Sequence, residues 1–202
     1  MFQWFSILKL LGIEVFLAVS CILGDYYVFQ SLSLINLFLF RNVSILNEAI
    51  LRAFLDNFIH GLIGLVSWFI VIYPQFKFYE LMAAWFFASI LDIDHFISAR
   101  SFRIADVGSL QKRPFFHNSL TLLLINLLLF VVLSYLNSNK RYTWSILFFM
   151  SWFSHHIRDG TRRGLFFDPL GTSMVINYNL YILIILLMPL TFRFVLNINH
   201  FN

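Results

Sequence analysis

Most histidine and aspartate side chains of this sequence fall in four short polar patches. The patches are Asp56-Asn-Phe-Ile-His60, Asp92-Ile-Asp94-His95, His117-Asn-Ser119 and His155-His156-Ile-Arg-Asp159. Imidazole and carboxylate groups together suit zinc, manganese or iron better than an all-oxygen cage does. Cys21 is the only cysteine, which excludes a zinc site built from cysteine ligands. The residue types therefore predict a divalent metal as cofactor, with zinc or manganese favoured.

The spacing within two patches places a histidine and a carboxylate on one helical face. Asp56 and His60 are four residues apart, as are His155 and Asp159, so each pair is separated by one helical turn. Each pair can ligate a single ion. Alternatively, the aspartate can orient the imidazole from behind.

The other two patches depend more on where helices end. Asp92 and His95 are three residues apart and share a helical face, whereas Asp94 points away from them on an unbroken helix. Asp94 joins them as a ligand only if the helix ends there; otherwise it serves as an orienting partner. His117 follows Pro114, a residue suited to the first turn of a helix.

The patches contain more potential ligands than one tetrahedrally coordinated ion needs. Two ions fit, and so does one ion with an outer layer of orienting residues. The candidate metal ligands are His60, Asp94, His95, His117, His155 and Asp159. The candidate catalytic residues, for activating water and moving protons, are Asp92, Asp94 and Asp159.

Basic residues beside the patches are candidates for binding an anionic substrate, since guanidinium groups suit phosphate and carboxylate. They are Lys112, Arg113, Arg158 and Arg162. Arg158 and Arg162 are four apart and share a helical face. The alternative is that these residues only orient the chain in a membrane.

Each polar residue taken singly also has a structural explanation. Asp25 and His156 can hydrogen-bond within a helix bundle, and His200 is expected to be a tail residue. Asp56 and Asp159 can each be a helix-end or interfacial residue. Four patches that agree in position favour a joint site over four separate explanations.

The segments between the patches are apolar enough to cross a membrane. Of 202 residues, 60% are hydrophobic and 12% are charged, against about 25% charged in soluble domains. A crossing needs about 20 mainly apolar residues. The predicted crossings are Leu8–Phe29, Phe54–Ile72, Glu80–Phe96, Phe115–Leu136, Thr143–His156 and Tyr178–Leu196. We therefore expect an all-α, polytopic membrane bundle of about six transmembrane helices, one domain over residues 1–202 with its motifs in residues 51–171.

Two apolar stretches near the N-terminus need their own interpretation. Residues 1–29 lack a basic leader and a small-residue cleavage site, which predicts a retained helix. Ser31–Phe40 is followed by Arg41 and Asn42, which indicates an interfacial or re-entrant piece.

Counting six crossings places all four patches, and Asp25, at one membrane face. Basic residues on that face are Arg41, Arg52, Arg100, Arg103, Lys112, Arg113, Arg158, Arg162 and Arg163. Those on the opposite face are Lys9, Lys77, Lys140, Arg141 and Arg193. Basic residues resist translocation, so the first face is predicted to be cytoplasmic, with loops 98–114 and 160–177. The net charge of +4 is interpreted as an orientation signal, with the lipid bilayer and not nucleic acid as the partner.

Three motifs resemble the transmembrane protein 267 family of eukaryotic multi-pass proteins. They are Ser89-Ile-Leu-Asp-Ile-Asp-His95, Arg113-Pro-Phe-Phe-His117 with Ser119, and Ser151-Trp-Phe-Ser-His-His-Ile-Arg-Asp-Gly160 followed by Arg163-Gly-Leu165. Asp56-Asn57 with His60 fits the same pattern, so the resemblance covers roughly residues 51–171. It implies a membrane protein and brings no activity with it.

A more distant resemblance is to bacterial membrane-bound metal-dependent hydrolases. Their early His, Asp-x-Asp-His, Thr-His-Ser and Ser-His-x-x-x-Asp correspond to His60, to Asp92, Asp94 and His95, to His117, and to His155 and Asp159. Lys112-Arg113-Pro114 stands in place of their His-Arg-Gly, and Phe116-His117-Asn118 in place of Thr-His-Ser. One histidine and one hydroxyl are therefore absent, which bears on catalysis more than on metal binding.

Three functions are consistent with these features. The favoured one is metal-dependent hydrolysis of a lipid-linked, anionic ester or phosphoester. The second is transport of a divalent cation, which would use the same ligands as a transit site and would place them near the midplane. The third is a catalytically degenerate protein in which the metal only stabilises the structure.

Overall fold

Helices make up nearly all of the regular structure in the computed structural model, which describes residues 2–28, 45–108, 110 and 112–199. The helices are α1 (Phe2–Tyr26), α2 (Ile45–Ile72), α3 (Phe78–Ser89), α4 (Ile93–Ala99), α5 (Ile104–Gly108), α6 (Ser119–Tyr135), α7 (Arg141–Arg163) and α8 (Tyr178–Asn199). Short 3₁₀ turns, Ile90–Asp92 and Phe115–His117, precede α4 and α6. Two antiparallel strands, β1 (Phe166–Phe167) and β2 (Gly171–Thr172), lie between α7 and α8. The predicted Ser31–Phe40 piece, Arg41 and His200 lie outside the described residues.

Long apolar helices confirm the predicted all-α membrane bundle. Four stretches of the described chain are long and apolar enough to cross a bilayer: Ile7–Tyr26, Ala49–Ile72, Phe78–Ala99 and Tyr178–Asn197. Helix α6 is apolar but shorter, and α7 carries its polar patch inside the bundle. The six predicted crossings each fall on a helix, four of them long and apolar enough to span a bilayer, and the protein is an integral membrane protein.

Helix α7 is the centre of the bundle. It packs against α2, α3, α6 and α8, while α1 packs on α2 and α8. Leu147 and Met150 of α7 are fully buried with Trp68 of α2 and Tyr181 of α8. Because α7 is enclosed on several sides, its serine and histidine residues can be polar without facing lipid.

Helix α2 begins earlier than the sequence predicted. It starts at Ile45, nine residues before the predicted start at Phe54 (54 − 45), so Asp56 and His60 lie well inside the helix. The twelve residues from His60 to Ile72 span about 18 Å of helix axis, within a hydrocarbon core of about 30 Å. The polar patch of α2 is therefore recessed into the bundle and not at the helix start.

Glycine residues let α2 approach α3 closely beside this patch. A β-carbon on Gly64 would lie 2.7 Å from Ala88 Cβ and 2.9 Å from the Ala84 carbonyl oxygen. Gly61, on the neighbouring face of α2, faces Trp85 and Ser89 in the same way. Small residues at such contacts let membrane helices pack backbone to backbone.

We expect Gly64→Leu to destabilise this contact, because the added side chain has no space without separating α2 from α3. Overpacking costs about 1–3 kcal/mol, and the thermal midpoint in detergent should fall. Gly12→Leu is the matched control, since a β-carbon on Gly12 meets nothing within 4 Å. Equal melting temperatures for the two variants would contradict the close packing.

Candidate metal centre

Side chains of all four polar patches meet between α2, the α3–α4 segment, the Phe115–His117 turn and α7. Three groups have one potential ligand atom per residue, all within 4.8 Å of one another: His60, Asp92 and His155; Asp92, His95 and His117; and His117, His155 and Asp159. The crossing count predicted that the four patches lie together, and the structure confirms this. These groups could hold a metal ion.

The tightest part of the cluster is formed by two imidazoles and two carboxylates. His117 Nε2 and His155 Nε2 are 3.2 Å apart. Each of these nitrogens lies 3.5–3.6 Å from a carboxylate oxygen of both Asp92 and Asp159. Two ligands bound tetrahedrally at about 2.0–2.2 Å from one ion are separated by about 3.3–3.6 Å. The spacing is that of atoms that share an ion.

His60 is the clearest sign that protein partners alone do not complete the site. Its side chain is 1% exposed, and neither ring nitrogen has a hydrogen-bond partner within the described part of the chain. The ring stacks on His155 with centroids 3.7 Å apart, and His60 Nε2 lies 3.5 Å from Asp159 Oδ1. Buried polar atoms are almost always paired, so a buried imidazole in this position fits a metal ligand.

His155 is oriented by the backbone of α3. Its Nδ1 lies 2.8 Å from the carbonyl oxygen of Ala88. A carbonyl can only accept, so Nδ1 carries the proton and Nε2 presents its lone pair to the cluster. This arrangement is typical of histidine residues that bind metals.

His117 is oriented by Asp94 in the same sense. Its Nδ1 lies 3.2 Å from Asp94 Oδ1, and Asp94 Oδ2 also accepts the backbone N–H of Phe116 at 2.7 Å. Its Nε2 also lies 3.6 Å from Asp92 Oδ1, so carboxylates face both nitrogens of the ring. The carboxylates therefore favour a positive charge at this point, which a proton or a metal ion supplies.

The break after α3 decides the role of Asp94. The α-helix stops at Ser89, and the 3₁₀ turn Ile90–Asp92 winds the chain more tightly before α4 begins at Ile93. Asp92 then faces the Nε2 atoms of the cluster, while Asp94 lies on the Nδ1 side of His117. Of the two roles expected for Asp94, this placement favours the orienting one.

His95 stands at the edge of the cluster. Its Nδ1 lies 3.9 Å from Asp92 Oδ1 and 3.3 Å from Asp94 Oδ1, and its side chain is 26% exposed. With Asp92 and His117 it forms the outermost of the three groups. A second ion there and a proton-transfer role for His95 are both consistent with its position.

A cavity of about 200 Å³ opens over the cluster. Asp92, His95, His117 and Asp159 form its polar floor. The other charged residues of its lining are Asp56, Lys112, Arg113, Arg162 and Arg163. Of the predicted substrate-binding residues, Lys112, Arg113 and Arg162 therefore reach the cavity, and Arg163 joins them.

Arg158, a predicted substrate-binding residue, lies elsewhere. It is 1% exposed, its Nε donates to Asp25 Oδ1 at 2.8 Å, and its Nη1 lies 2.7 Å from Asp56 Oδ1. Arg162 donates two hydrogen bonds to the same Asp56, from Nη2 to Oδ1 at 2.7 Å and from Nη1 to Oδ2 at 3.0 Å. Asp56 is therefore bound by two guanidinium groups and is not placed as a partner of His60. Arg158 stabilises the helix contacts behind the site.

His156 differs from its neighbour His155 in having ordinary partners. Its Nδ1 lies 3.2 Å from Ser119 Oγ, and its Nε2 lies 2.9 Å from the carbonyl oxygen of Phe116. The expectation of hydrogen bonding within the bundle fits this residue. It fixes the chain on either side of His117.

Curated relatives match about seven tenths of the chain. A mouse protein named Transmembrane protein 267 is 40% identical over 144 residues, which are 69% of this chain and 66% of the mouse protein. The bovine protein of that name is 38% identical over 154 residues, 74% of this chain and 71% of its own. The chain belongs to the transmembrane protein 267 family. The zebrafish member is 42% identical over 145 residues, 69% of this chain and 64% of its own.

The other comparisons add no activity to the transmembrane protein 267 assignment. No protein-family model and no solved structure matches the chain. The relatives confirm the resemblance to the transmembrane protein 267 family. No comparison supports the resemblance to the bacterial hydrolases. The matched region is about two thirds of the length of the mouse protein.

Sequence reasoning missed two contacts in this member of the transmembrane protein 267 family. The Ala88 carbonyl that orients His155 has no side-chain signal, because any residue supplies a carbonyl. Arg163 lines the cavity but was not among the predicted substrate-binding residues. Its place beside Arg162 is a signal that could have included it.

Proposed function

We propose that this protein is a metal-dependent membrane hydrolase that cleaves an ester or phosphoester linked to a lipid. The observation that carries the proposal is His60, a fully buried imidazole with no hydrogen-bond partner in the described chain, beside two further histidines and two carboxylates. An apolar side chain would pack there at lower cost unless the nitrogen binds something.

The donor set fits a divalent cation with affinity for imidazole and carboxylate, such as zinc or manganese. His117 and His155 would hold it through Nε2, with Asp92 and Asp159 supplying oxygens and His60 the next nearest nitrogen. A cation in this site would lower the pKa of a bound water molecule and polarise the substrate oxygen.

The residues around the cavity have distinct parts in such a reaction. The Asp159 carboxylate lines the cavity, with Oδ1 3.5 Å from His60 Nε2 and 3.6 Å from Arg162 Nη1, and can accept a proton from water. The water oxygen forms a bond to phosphorus or to the carbonyl carbon, and the bond to the leaving oxygen breaks. The proton held by Asp159 then passes to the leaving oxygen, which completes an alcohol and a free acid.

Basic side chains around the cavity suit an anionic substrate. Lys112, Arg113, Arg162 and Arg163 line it together with Asp56, Asp92 and Asp159. Arg113 is held in place by a 2.7 Å hydrogen bond from Nη1 to the Gly164 carbonyl. Guanidinium groups fixed in this way bind phosphate oxygens with little loss of side-chain entropy.

Metal analysis of the purified protein tests the proposal. Wild-type protein is expected to contain zinc or manganese at one or two ions per chain, and His155→Ala is expected to lose it because His155 belongs to two of the three groups. His156→Gln is the matched control: it changes the adjacent buried histidine, keeps a hydrogen-bonding side chain, and should retain the metal.

The outcomes separate the three functions. Metal-free wild-type protein, or equal metal in His155→Ala and wild type, would contradict a metal centre. Bound metal without hydrolysis of any lipid ester or phosphoester would favour a metal that only stabilises the structure. Passage of the ion across proteoliposomes, lost in His155→Ala, would favour the transporter.

We also propose that the cavity opens to the cytoplasm, on the basis of the basic residues counted at that face. Cys21 is buried, so cysteine probes introduced elsewhere can be followed. In cells with only the plasma membrane permeabilised, an impermeant maleimide should label Met174→Cys, whose parent side chain is 89% exposed. Asn139→Cys, at the opposite end of α7, should stay unlabelled. The reverse pattern would place the cavity on the other side of the membrane.

A further inference from the structure

An apolar groove lies directly beside the cavity over the cluster. It has a volume of about 390 Å³, within the range of about 300–1,000 Å³ of small-molecule sites. Helices α2, α4 and α5 form it, with the apolar side chains Ile50, Ala53, Phe54, Phe96, Ile104 and Val107.

The groove and the cavity share a wall. Asp56, Asp92, His95 and Val107 line both. A molecule that occupies both spaces therefore has its polar end over the metal-binding residues and its apolar end between α2 and α5. This combination of surfaces matches an amphiphile.

The outer side of the groove lies in a membrane-crossing stretch of the chain. Ala53 and Phe54 belong to the Ala49–Ile72 span, and the Phe54 side chain is 66% exposed. Residues that are exposed within such a span face lipid, so a bilayer lipid can reach the groove sideways without passing through water.

We propose that the groove binds one hydrocarbon chain of a membrane lipid with an anionic phosphate headgroup while the lipid phosphate lies in the cavity. This assignment rests on the proposed function and names its substrate class. The basic side chains of the cavity favour an anionic headgroup. Because the groove is apolar, a phosphate attached to a hydrocarbon chain should bind more tightly than the same phosphate without a chain. Zwitterionic lipids offer the chain but not the net negative charge.

Photolabelling tests the chain position. The probe is phosphatidic acid with a diazirine on one acyl chain, added to wild-type protein in phosphatidylcholine nanodiscs. Label is expected on peptides that contain Phe54 and Phe96, and unlabelled phosphatidic acid should compete with it. A diazirine phosphatidylcholine probe that labels these peptides equally would overturn the proposal, because the groove would then hold only surrounding lipid.

A bulky residue in the groove provides the matched variant. Ala53→Trp places a bulky side chain in the groove at an exposed position. Photolabelling of this variant should fall at least about tenfold, which is the effect on binding if two methylene groups of the lipid chain can no longer be buried. Val131→Trp adds similar bulk to the exposed face of α6, outside the groove, and should label like wild type. Undiminished labelling of Ala53→Trp would overturn the proposal.

Hydrolysis assays separate this proposal from the proposed function. Wild type should hydrolyse both phosphatidic acid and the water-soluble p-nitrophenyl phosphate. Ala53→Trp should lose about tenfold on the first and nothing on the second, since its metal centre is unchanged. Equal loss on both substrates would overturn the groove assignment. If wild type hydrolyses neither while the labelling follows the groove, the proposed function fails and the chain site stands.

Discussion

Asp92→Asn is expected to lose bound metal and hydrolysis together. Asp92 Oδ1 lies 3.6 Å from both His117 Nε2 and His155 Nε2, and Asp92 belongs to two of the three candidate groups. An amide in its place removes a negative charge from the centre of the cluster and is a weak ligand. We expect metal affinity to fall by more than about 100-fold, beyond the 10–100-fold range of an orienting residue.

Asp94→Asn is the matched comparison, two residues away in the same motif. Asp94 contacts the Nδ1 side of His117 and the Phe116 N–H, so its loss should weaken metal binding by about 10–100-fold without abolishing it. Competition titration with a fluorescent zinc chelator measures both variants. Equal losses would show that Asp94 is itself a ligand.

Arg158→Met is expected to produce the largest loss of stability. The guanidinium of Arg158 lies between Asp25 and Asp56 and is 1% exposed. Removing one member of a buried ion pair costs about 3–5 kcal/mol, because the remaining charge is buried without compensation. Asp56 keeps Arg162, but among the described residues Asp25 keeps only the hydroxyl of Tyr178, at 3.2 Å. Thermal unfolding in detergent micelles measures the loss.

The double variant Asp25→Leu with Arg158→Met distinguishes the ion pair from simple packing. With both partners apolar, most of the lost stability should return, since replacing a whole buried pair is often neutral. If the double variant is less stable than Arg158→Met alone, the pair contributes through packing and not through charge. Metal content should remain in both variants, because neither residue is a candidate ligand.

Much of this arrangement could be predicted from the sequence because each membrane crossing carries the chain to the opposite membrane face. The hydrocarbon core fixes the length of a crossing, so the ends at which polar patches lie follow from counting. That rule brought His60, Asp92, His117 and His155 to one end of the bundle, and the structure places them in contact. The same periodicity placed His155 and Asp159 on one face of α7.

The remaining features depend on tertiary contacts that no local pattern contains. Arg158 and Arg162 share a helical face, yet one is buried against Asp25 of a distant helix and the other lines the cavity. Asp94 takes its place from the helix break before it, which the apolar sequence around Ile90 does not signal. The early start of α2 was missed because Asn47 and Glu48 interrupt the apolar run.

The recess of the site within the bundle has a consequence for the speed of metal exchange. His60 lies eleven residues, or about 17 Å of helix axis, inside the apolar stretch that begins at Ala49, and the cationic side chains of Lys112, Arg113 and Arg163 line the cavity that opens over the cluster. An incoming cation meets like charge there, which slows its association. We therefore expect slow loading of folded protein and slow release to chelators, so that ions acquired while the helices assemble remain bound for long periods.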